Sequence, residues 1–452
     1  MNKTFTHILS IMLLSLAFPQ NTHAQQAWDV DMCMRYAVEH NRTVRQRELE
    51  SDNYGLDRIK AIGNFLPGIS GGTSLQYNWG RSVDPETNTY NNISTFNNSY
   101  SLQASLPIFN GGNLINTLRR SKVSVLLGKA ALEEARDNIA LETFQAYIDA
   151  LYYYGTVKLA REKVIESDSL LYKTRRQEQL GLKGMADVAQ MEAQTATDEY
   201  NLTTQSNLFE TAMLTLKQKM NYPLDDNLLL DTLMLDNSVL NMAILTDDSL
   251  ADIFEATMNT NPTLRQSEFN MEIANLDAKI SWANVLPSIS LNGGINSSYF
   301  KELNNNGYSG FWNQLENNFG QYVGISISIP IFNGMSGITG IRKARNSHRI
   351  AIEQYEAQKE ELQKLVTQAV LDKNGFLKEC MKMEKKVEAD SIAYHVTRRK
   401  YEEGLMTSLD VQTSAATLLE SEVALLQCKL SYVLKCRLVE YYKGHDIIAT
   451  EI

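Results

Sequence analysis

The chain has few of the residues and segments on which most enzymes depend. It contains only 6 histidines and 4 cysteines in 452 residues, and no His-x-x-x-His or Cys-x-x-Cys pair indicates a metal site. The sequence has no Gly-rich phosphate-binding loop, and no histidine lies in a motif with serine or aspartate. These absences argue against a hydrolase and a nucleotide-binding enzyme, so we predict no catalytic residue, no metal and no cofactor.

Long apolar runs are missing after the first residues. Lys3, a short apolar run over 8–18 and the small-x-small site Thr22-His23-Ala24 indicate an export signal, so we predict a signal peptide at 1–24. Beyond it, no stretch approaches the roughly 18 apolar residues of a transmembrane helix. Any insertion of the mature chain into a membrane must therefore use strands.

Basic residues are outnumbered by acidic ones. The formal net charge of -10 becomes -11 in the mature chain, because the signal removes Lys3 and no acid. An acidic balance argues against nucleic acid as a partner. It is compatible with a lumen that favours cations.

Cysteine is too sparse to indicate a disulfide framework. Cys428 and Cys436, eight residues apart on a predicted helix, would lie roughly 12 Å apart, which exceeds disulfide reach. Cys33 and Cys380 have no close partner in the sequence. We predict that the four are buried thiols.

What the chain does have is an internal repeat. Thr174-Arg175-Arg176, Gly181-Leu182 and Asp187-Val188 return 223 residues later as Thr397-Arg398-Arg399, Gly404-Leu405 and Asp410-Val411. Leu106 to Gly111 return as Ile329 to Gly334 at the same offset, and Leu66-Pro67 return as Leu286-Pro287 at an offset of 220. We predict a first repeat at 25–221, a linker at 222–247, a second repeat at 248–443 and a short tail at 444–452.

Each repeat contains two segments of alternating apolar and small polar residues. The alternation predicts strands near 68–79 and 98–108, and again near 288–299 and 322–331. Each segment is long enough to cross a bilayer when tilted. A soluble β-sandwich fits the alternation equally well, but the export signal favours a membrane. Because four strands are too few to close a barrel, such a barrel must be shared between chains.

The remainder of each repeat predicts helices. Short helices over 30–39 and 250–258 are followed by Asn41 and Asn261, which we predict to be N-caps of the next helices. Proline-free helical segments over 113–179 and 336–402 are roughly 100 Å long, and helices over 186–220 and 408–442 run back. Each repeat should form a long hairpin, with strands at one end and a tight turn at the other.

This order of elements and the repeated phrases resemble the TolC family of outer-membrane efflux channels. The resemblance implies a membrane α+β fold: a tandem-repeat protomer with four transmembrane β-strands and long periplasmic helices, in a trimeric β-barrel continued by an α-helical barrel. It implies a passive channel-tunnel of a tripartite efflux or type I secretion system, in the outer membrane of a Gram-negative bacterium. The implied partners are two further copies, a periplasmic adaptor (membrane fusion protein), an inner-membrane transporter and outer-membrane lipid.

The resemblance also carries over some residue roles. It places adaptor docking at the tip turns, at Gly181, Leu182, Gly404, Leu405, Thr407 and Ser408. Asp187 and Asp410 are candidates for a tunnel constriction or for helix caps. Arg175, Arg176, Arg398 and Arg399 are candidates for latching neighbouring helices, or for a solvated basic patch. Thr413 stands where family members carry a second acid, which puts a matching acidic ring in doubt.

One other function class stays open from the sequence. A long-helix structural or adhesive envelope protein would also carry an export signal and long helices, but it would not need alternating strands at matching places in both halves. The cargo of a channel, small molecule or protein, is set by the pump and the adaptor, so the sequence does not identify it.

Overall fold

The computed structural model describes residues 27–83, 88–235, 249–303, 307 and 309–448. The predicted signal peptide, the later part of the linker (236–247) and the end of the tail (449–452) lie outside these residues. The helices are α1 (Val30–His40), α2 (Arg42–Gly63), α3 (Asn113–Gln179), α4 (Met185–Met220), α5 (Leu250–Thr260), α6 (Pro262–Ser281), α7 (Phe311–Asn317), α8 (Ser336–Glu402) and α9 (Ser408–Tyr442). The strands are β1 (Gly68–Val83), β2 (Tyr90–Asn110), β3 (Ser288–Glu302) and β4 (Gly320–Ser328).

The helices repeat at the offsets seen in the sequence. The two long helices, α3 and α8, have 67 residues each. The first residues of the two helices are 223 positions apart, and so are their last residues. Asn41 caps α2, since its side chain accepts from the Thr43 amide at 2.8 Å. Asn261 caps α6 in the same way, accepting from Thr263 and Leu264 at 3.1 Å. The N-cap predictions are therefore confirmed.

The four strands form one antiparallel sheet in the order β1-β2-β3-β4. β1 and β2 are longer than the alternation predicted, because their outer ends also pair, from Gly80 opposite Ile93 to Val83 opposite Tyr90. The central pair, β2 and β3, joins the two repeats, with Leu102 opposite Ile295. β1 and β4 are the edges, and each pairs with one other strand among the residues that the structure describes.

The helices form two hairpins that extend away from the sheet. α3 pairs with α4, and α8 pairs with α9. α2 packs on α3, whereas α6 packs on both α3 and α8. At about 1.5 Å per residue, the turns at the ends of α3 and α8 lie roughly 100 Å from the sheet. None of the helices in the described ranges combines the length and apolar character that crossing a bilayer would take.

The largest core lies where α1, α3 and α4 meet, near the middle of the long helices. Tyr147 is fully buried there, and its hydroxyl donates to the carbonyls of Trp28 and Asp231 at 3.1 and 2.8 Å. Trp28 forms a parallel bridge with Leu230. The described part of the linker is therefore fastened to the side of the first hairpin.

The prediction of four buried thiols is confirmed for Cys33 alone, because Cys436 is a half-buried thiol and the other two cysteines are bonded to each other. Cys380 of α8 and Cys428 of α9 form a disulfide, with their Cα atoms 5.6 Å apart. They are 48 residues apart in sequence and meet only because the two helices run antiparallel, which spacing along one helix cannot reveal. Cys33 is a buried thiol, and burial raises its pKa.

Candidate functional site

The two hairpin turns are the same structure built twice. Gly181 and Gly404 have φ values of +74° and +78°, a region that residues with a Cβ adopt only with strain. At the first turn, the amides of Gly181 and Leu182 donate to the carbonyls of Glu178 and Gln177, both at 2.8 Å. The second turn repeats both bonds at Gly404 and Leu405. Each glycine therefore ends its long helix in a Schellman motif.

Each turn presents apolar side chains to its surroundings. Leu182 is 70% exposed and Leu405 is 72% exposed. Leu180, Met185 and Leu409 are also exposed beside them. Apolar side chains grouped at the end of a long projection are typical of a surface that another protein covers.

The predicted acids cap the returning helices. Asp187 accepts from the Gly184 amide at 3.2 Å at the start of α4. Asp410 accepts from the amide and the hydroxyl of Thr407, at 2.9 and 2.6 Å, at the start of α9. These bonds to Thr407 lower the pKa of Asp410, so it carries a full negative charge at neutral pH.

Ser408 differs from the other predicted docking residues, which lie on the surface of the tip. It is buried, and its hydroxyl donates to the Gln190 side chain at 2.7 Å. The side chain of Gln412 donates to the Gln190 backbone carbonyl at 3.3 Å. Through these bonds α9 of the second hairpin is fastened to α4 of the first.

The four candidate arginines have different surroundings. Arg175 pairs with Glu192 at 2.6 Å, within the first hairpin. Arg398, at the same position of the second repeat, reaches across to Glu166 of α3 at 3.1 Å. Arg176 donates to Gln179 on its own helix at 2.9 Å, and Arg399 is exposed. Of the four, Arg398 is the one that ties the two repeats together.

Two tyrosines complete this connection and were not found by sequence reasoning. Tyr394 of α8 donates to the Glu166 carboxylate, and Tyr401 of α8 lies 2.9 Å from the hydroxyl of Thr174 on α3. Both tyrosines are buried, and burial raises the pKa of each. The Lys183 amine lies 4.1 Å from the centre of the Tyr401 ring. The recurrence of Thr174 as Thr397 was visible in the sequence, but the pairing with Tyr401 was not.

A second group of charges lies nearer the middle of the hairpins. Asp198 of α4 is buried and Glu422 of α9 is partly buried; desolvation raises the pKa of both carboxyls. The positive charge of Lys163 opposes this effect at both carboxyls, but the net shift of each pKa is upward. Within the described residues, no three His, Cys, Asp or Glu side chains are arranged to hold a metal ion.

Comparison with known proteins identifies the family. The model of the family described as "Outer membrane efflux protein" matches residues 35–221 and 254–435, which together are most of the chain. A comparison with curated proteins by sequence found no significant match.

Solved structures share the fold along nearly the whole chain. CusC matches with a TM-score of 0.79 at 16% identity, covering 92% of each chain. The outer membrane protein VceC of Vibrio cholerae matches with a TM-score of 0.77 at 15% identity, covering 92% of this chain and 96% of the other. The outer membrane channel CmeC of Campylobacter jejuni matches with a TM-score of 0.75 at 16% identity, covering 92% and 85%.

These matches confirm the predicted fold class, in which a protomer of two repeats contributes β-strands to a shared barrel and long helices to a tunnel. They also confirm the predicted outer-membrane location and role in efflux. The chain belongs to the outer membrane efflux protein family, whose members are channels of the Gram-negative outer membrane.

Proposed function

We propose that three copies of this chain form one passive conduit. Each copy supplies β1 to β4 to a barrel in the outer membrane, because a sheet with two open edges leaves backbone groups unpaired in lipid. The helices continue the barrel as a tunnel through the periplasm. The conduit performs no chemistry, and an inner-membrane transporter supplies the energy.

The tip turns bind the periplasmic adaptor. The observation that carries this assignment is the pair of matching turns, each with a leucine more than two-thirds exposed, at the end of the molecule farthest from the sheet. Gly181 and Gly404 fix the backbone, and Leu182 and Leu405 supply the apolar contact. Thr407 is exposed beside them, whereas the buried Ser408 contributes by fixing α9.

The same tip closes the tunnel when no adaptor is bound. Arg398 latches α8 to α3 through Glu166, while Arg175 only joins α3 to α4. Arg176 and Arg399 form the solvated rim of this basic patch. Each copy places the negative charges of Asp187 and Asp410 at the opening of the tunnel. Thr413 is uncharged and adds no further charge there. A ring of this kind favours cations over anions.

The docking assignment is tested by making the exposed leucines charged. The double variant Leu182→Asp/Leu405→Asp, expressed in the native bacterium, should reach the outer membrane in normal amount. After chemical cross-linking in intact cells, we expect roughly tenfold less adaptor to copurify with it, because two apolar contacts per copy are lost. Mass spectrometry identifies the recovered adaptor.

Leu233→Asp is the matched control, since Leu233 is as exposed as Leu182 but belongs to the linker. It should leave adaptor recovery unchanged. Equal recovery from the double variant and the wild type would exclude the tip as the docking surface. The cargo, small molecules or proteins, depends on which transporter is found with the adaptor.

A further inference from the structure

We propose that the outside of the barrel carries a binding site for lipopolysaccharide, the lipid of the outer leaflet. One acyl chain lies in a groove beside α7, and a phosphate of the same molecule lies at Lys301. The site is built from β1, β2, β3 and α7 of one copy, so every copy carries one. The proposal rests on the barrel of the conduit proposed above, and it does not depend on the adaptor, the transporter or the cargo.

The two faces of the sheet differ in chemistry. Leu102 and Ile295 lie opposite each other on one face, which we call the apolar face. On the other face the Ser105 hydroxyl donates to the side chain of Asn292 at 2.8 Å. In a barrel around a water-filled channel, the polar face lines the channel and the apolar face meets lipid.

Helix α7, in the connection between β3 and β4, packs against the apolar face. The Phe311 ring lies 5.1 Å from the Tyr299 ring and 6.4 Å from the Tyr100 ring, centre to centre. The Ser297 hydroxyl donates to a backbone carbonyl of α7 at 2.6 Å. Ser297 and Tyr299 share the face of Ile295, because side chains two residues apart in a strand point the same way. The helix is therefore outside the channel, on the surface that lipid surrounds.

Side chains of α7 and of its C-cap hold the helix in place. β3 pairs with β4 only as far as Asn296, although β3 continues beyond that residue. There the Gln314 side chain accepts from the Phe300 amide and donates to the Phe300 carbonyl, both at 2.9 Å. Asn318 donates to the Ser298 carbonyl at 2.8 Å. These bonds replace the strand pairing, so α7 has a fixed position at the edge of β3.

A groove of about 400 Å³ lies on the apolar face beside α7. Tyr100, Leu102, Ile295 and Phe319 line it, and all four side chains are exposed. Gly71 lies opposite Leu102 and adds no side chain, which leaves the groove open. Because the lining is apolar and faces lipid, a hydrocarbon chain is the occupant that it fits.

The outer end of the same face carries the residues that mark a membrane boundary. Tyr77, Trp79, Phe96 and Tyr299 form a row of ring contacts across three strands, with centres between 4.7 and 6.1 Å apart. Trp312 of α7 is 79% exposed. Tyrosine and tryptophan concentrate at the level of lipid headgroups. The groove therefore lies on the hydrocarbon side of this row.

Lys301 supplies a positive charge beyond the aromatic row. It lies two residues after Tyr299 on the same face and forms no ion pair with any residue that the structure describes. Lysine binds phosphate as a point charge. Lys301 is about 20 Å along the strand from Ile295 in the groove, at about 3.4 Å per residue. One lipid molecule with its phosphate at Lys301 can thus place an acyl chain in the groove.

The direction of the strands identifies the leaflet. α2 and α3 join β1 and β2 near Gly68 and Asn110, whereas α7 lies at the opposite end of the sheet. In the proposed conduit the helices extend into the periplasm, so α7 and Lys301 are on the outer side of the membrane. The lipid of that leaflet in a Gram-negative bacterium is lipopolysaccharide, which carries both acyl chains and phosphates.

Native mass spectrometry of the purified trimer with added lipid A, the acylated and phosphorylated part of lipopolysaccharide, tests the groove. Gly71→Phe fills it, and the strand accepts the change because a Cβ at Gly71 would lie 3.7 Å from the Leu102 side chain, an ordinary contact. We expect about tenfold weaker retention of lipid A. Ala104→Phe is the matched control, since it adds the same ring on the same face but outside the groove. It should retain lipid A as the wild type does.

The phosphate contact is tested by changing both partners. Lys301→Gln should weaken the retention of lipid A by about fivefold. With lipid A from which the phosphates have been removed, Lys301→Gln and the wild type should bind equally. Lys385→Gln removes an exposed lysine of α8, far from the sheet, and should have no effect. A loss in Lys301→Gln that persists without phosphate would overturn the assignment of this contact.

The position of α7 has its own test. A spin label on Trp312→Cys should be more accessible to oxygen, which dissolves in lipid, than to a water-soluble nickel chelate. The same label on Gln76→Cys, an exposed position of the polar face, should show the opposite preference. A label at Trp312 that prefers the nickel chelate would place α7 in water and overturn the site, even if Gly71→Phe did not assemble.

The remaining outcomes concern the occupant. Equal retention of lipid A by Gly71→Phe and the wild type, in trimers that assemble normally, would exclude the groove as the binding site. Equal retention of phosphatidylethanolamine and lipid A by the wild type would overturn lipopolysaccharide as the occupant. Adaptor recovery is measured separately, so failure of the lipid site and failure of the proposed conduit give different results.

Discussion

Asp137 is a carboxyl whose surroundings work against its charge. It lies on α3 where the end of α9 packs, and the Tyr441 hydroxyl donates to it at 2.9 Å. Burial and the nearby Glu133, Asp446 and Glu134 raise its pKa, the Tyr441 hydrogen bond opposes them, and the net result is a pKa of about 6. The native protein therefore binds a proton at Asp137 more tightly than the unfolded chain does.

This site predicts a pH dependence of stability. A raised pKa contributes stability at low pH that is lost as the pH rises through about 6. Asp137→Asn keeps an acceptor for Tyr441 and removes the charge, so it should stabilise the protein at pH 8 by about 1 kcal/mol, a value reduced for partial exposure. At pH 4 it should have little effect. Thermal unfolding in detergent, followed by circular dichroism, measures both.

Asp168→Asn is the control, because Asp168 is an exposed acid on the same helix. Asp168→Asn should change the unfolding midpoint by the same amount at pH 4 and at pH 8. An Asp137→Asn protein with the same pH dependence as the wild type would contradict the assignment.

The tip turns show how a short element depends on one residue. Gly404→Val forces a β-branched residue to a φ of +78°, which should cost about 1–3 kcal/mol locally. The space around the glycine is open, so the cost is in the backbone alone. We expect normal trimer assembly with loss of adaptor recovery, measured by cross-linking in cells.

A graded series separates conformation from side-chain size. Gly404→Asn should retain most of the adaptor binding, because asparagine tolerates this conformation better than other residues. Gly375 lies mid-helix in α8 with open space around it, so Gly375→Val should also retain binding. Loss of binding in all three variants would show that the turn conformation is not what matters.

Elements whose causes are local were predictable from the sequence. Both long helices begin and end where proline-free, repeat-matched segments do, and Asn41 and Asn261 cap as their positions indicate. Contacts across elements were not predictable. Glu166 gave no signal because its partners, Tyr394 and Arg398, lie more than 220 residues away on another helix. The Cys380–Cys428 disulfide was missed because its two cysteines lie on different helices, whose packing against each other the sequence does not give.

Across the whole molecule the two hairpins are similar in sequence, but different bonds join the helices within each hairpin and between them. The second is braced by the disulfide between α8 and α9, and within the described residues the first has no such brace. Arg175 and Arg398 occupy equivalent positions, yet one pair stays within a hairpin and the other crosses between repeats. A movement that opens the tip would therefore separate α8 from α3 while each hairpin stays intact.

This asymmetry predicts a selective effect on conductance. Tyr394→Phe/Arg398→Ser removes both side chains that bind Glu166 from α8, while Thr174 still holds Tyr401. Reconstituted trimers of this variant should conduct ions in planar bilayers severalfold better than the wild type, because the closed tip loses two charge-assisted bonds per copy. The preference for cations should persist, since Asp187 and Asp410 are unchanged.

Arg175→Ser removes an ion pair within one hairpin and should leave conductance near the wild-type value. Equal conductance of the double variant and the wild type would place the narrowest part of the tunnel elsewhere than at this contact.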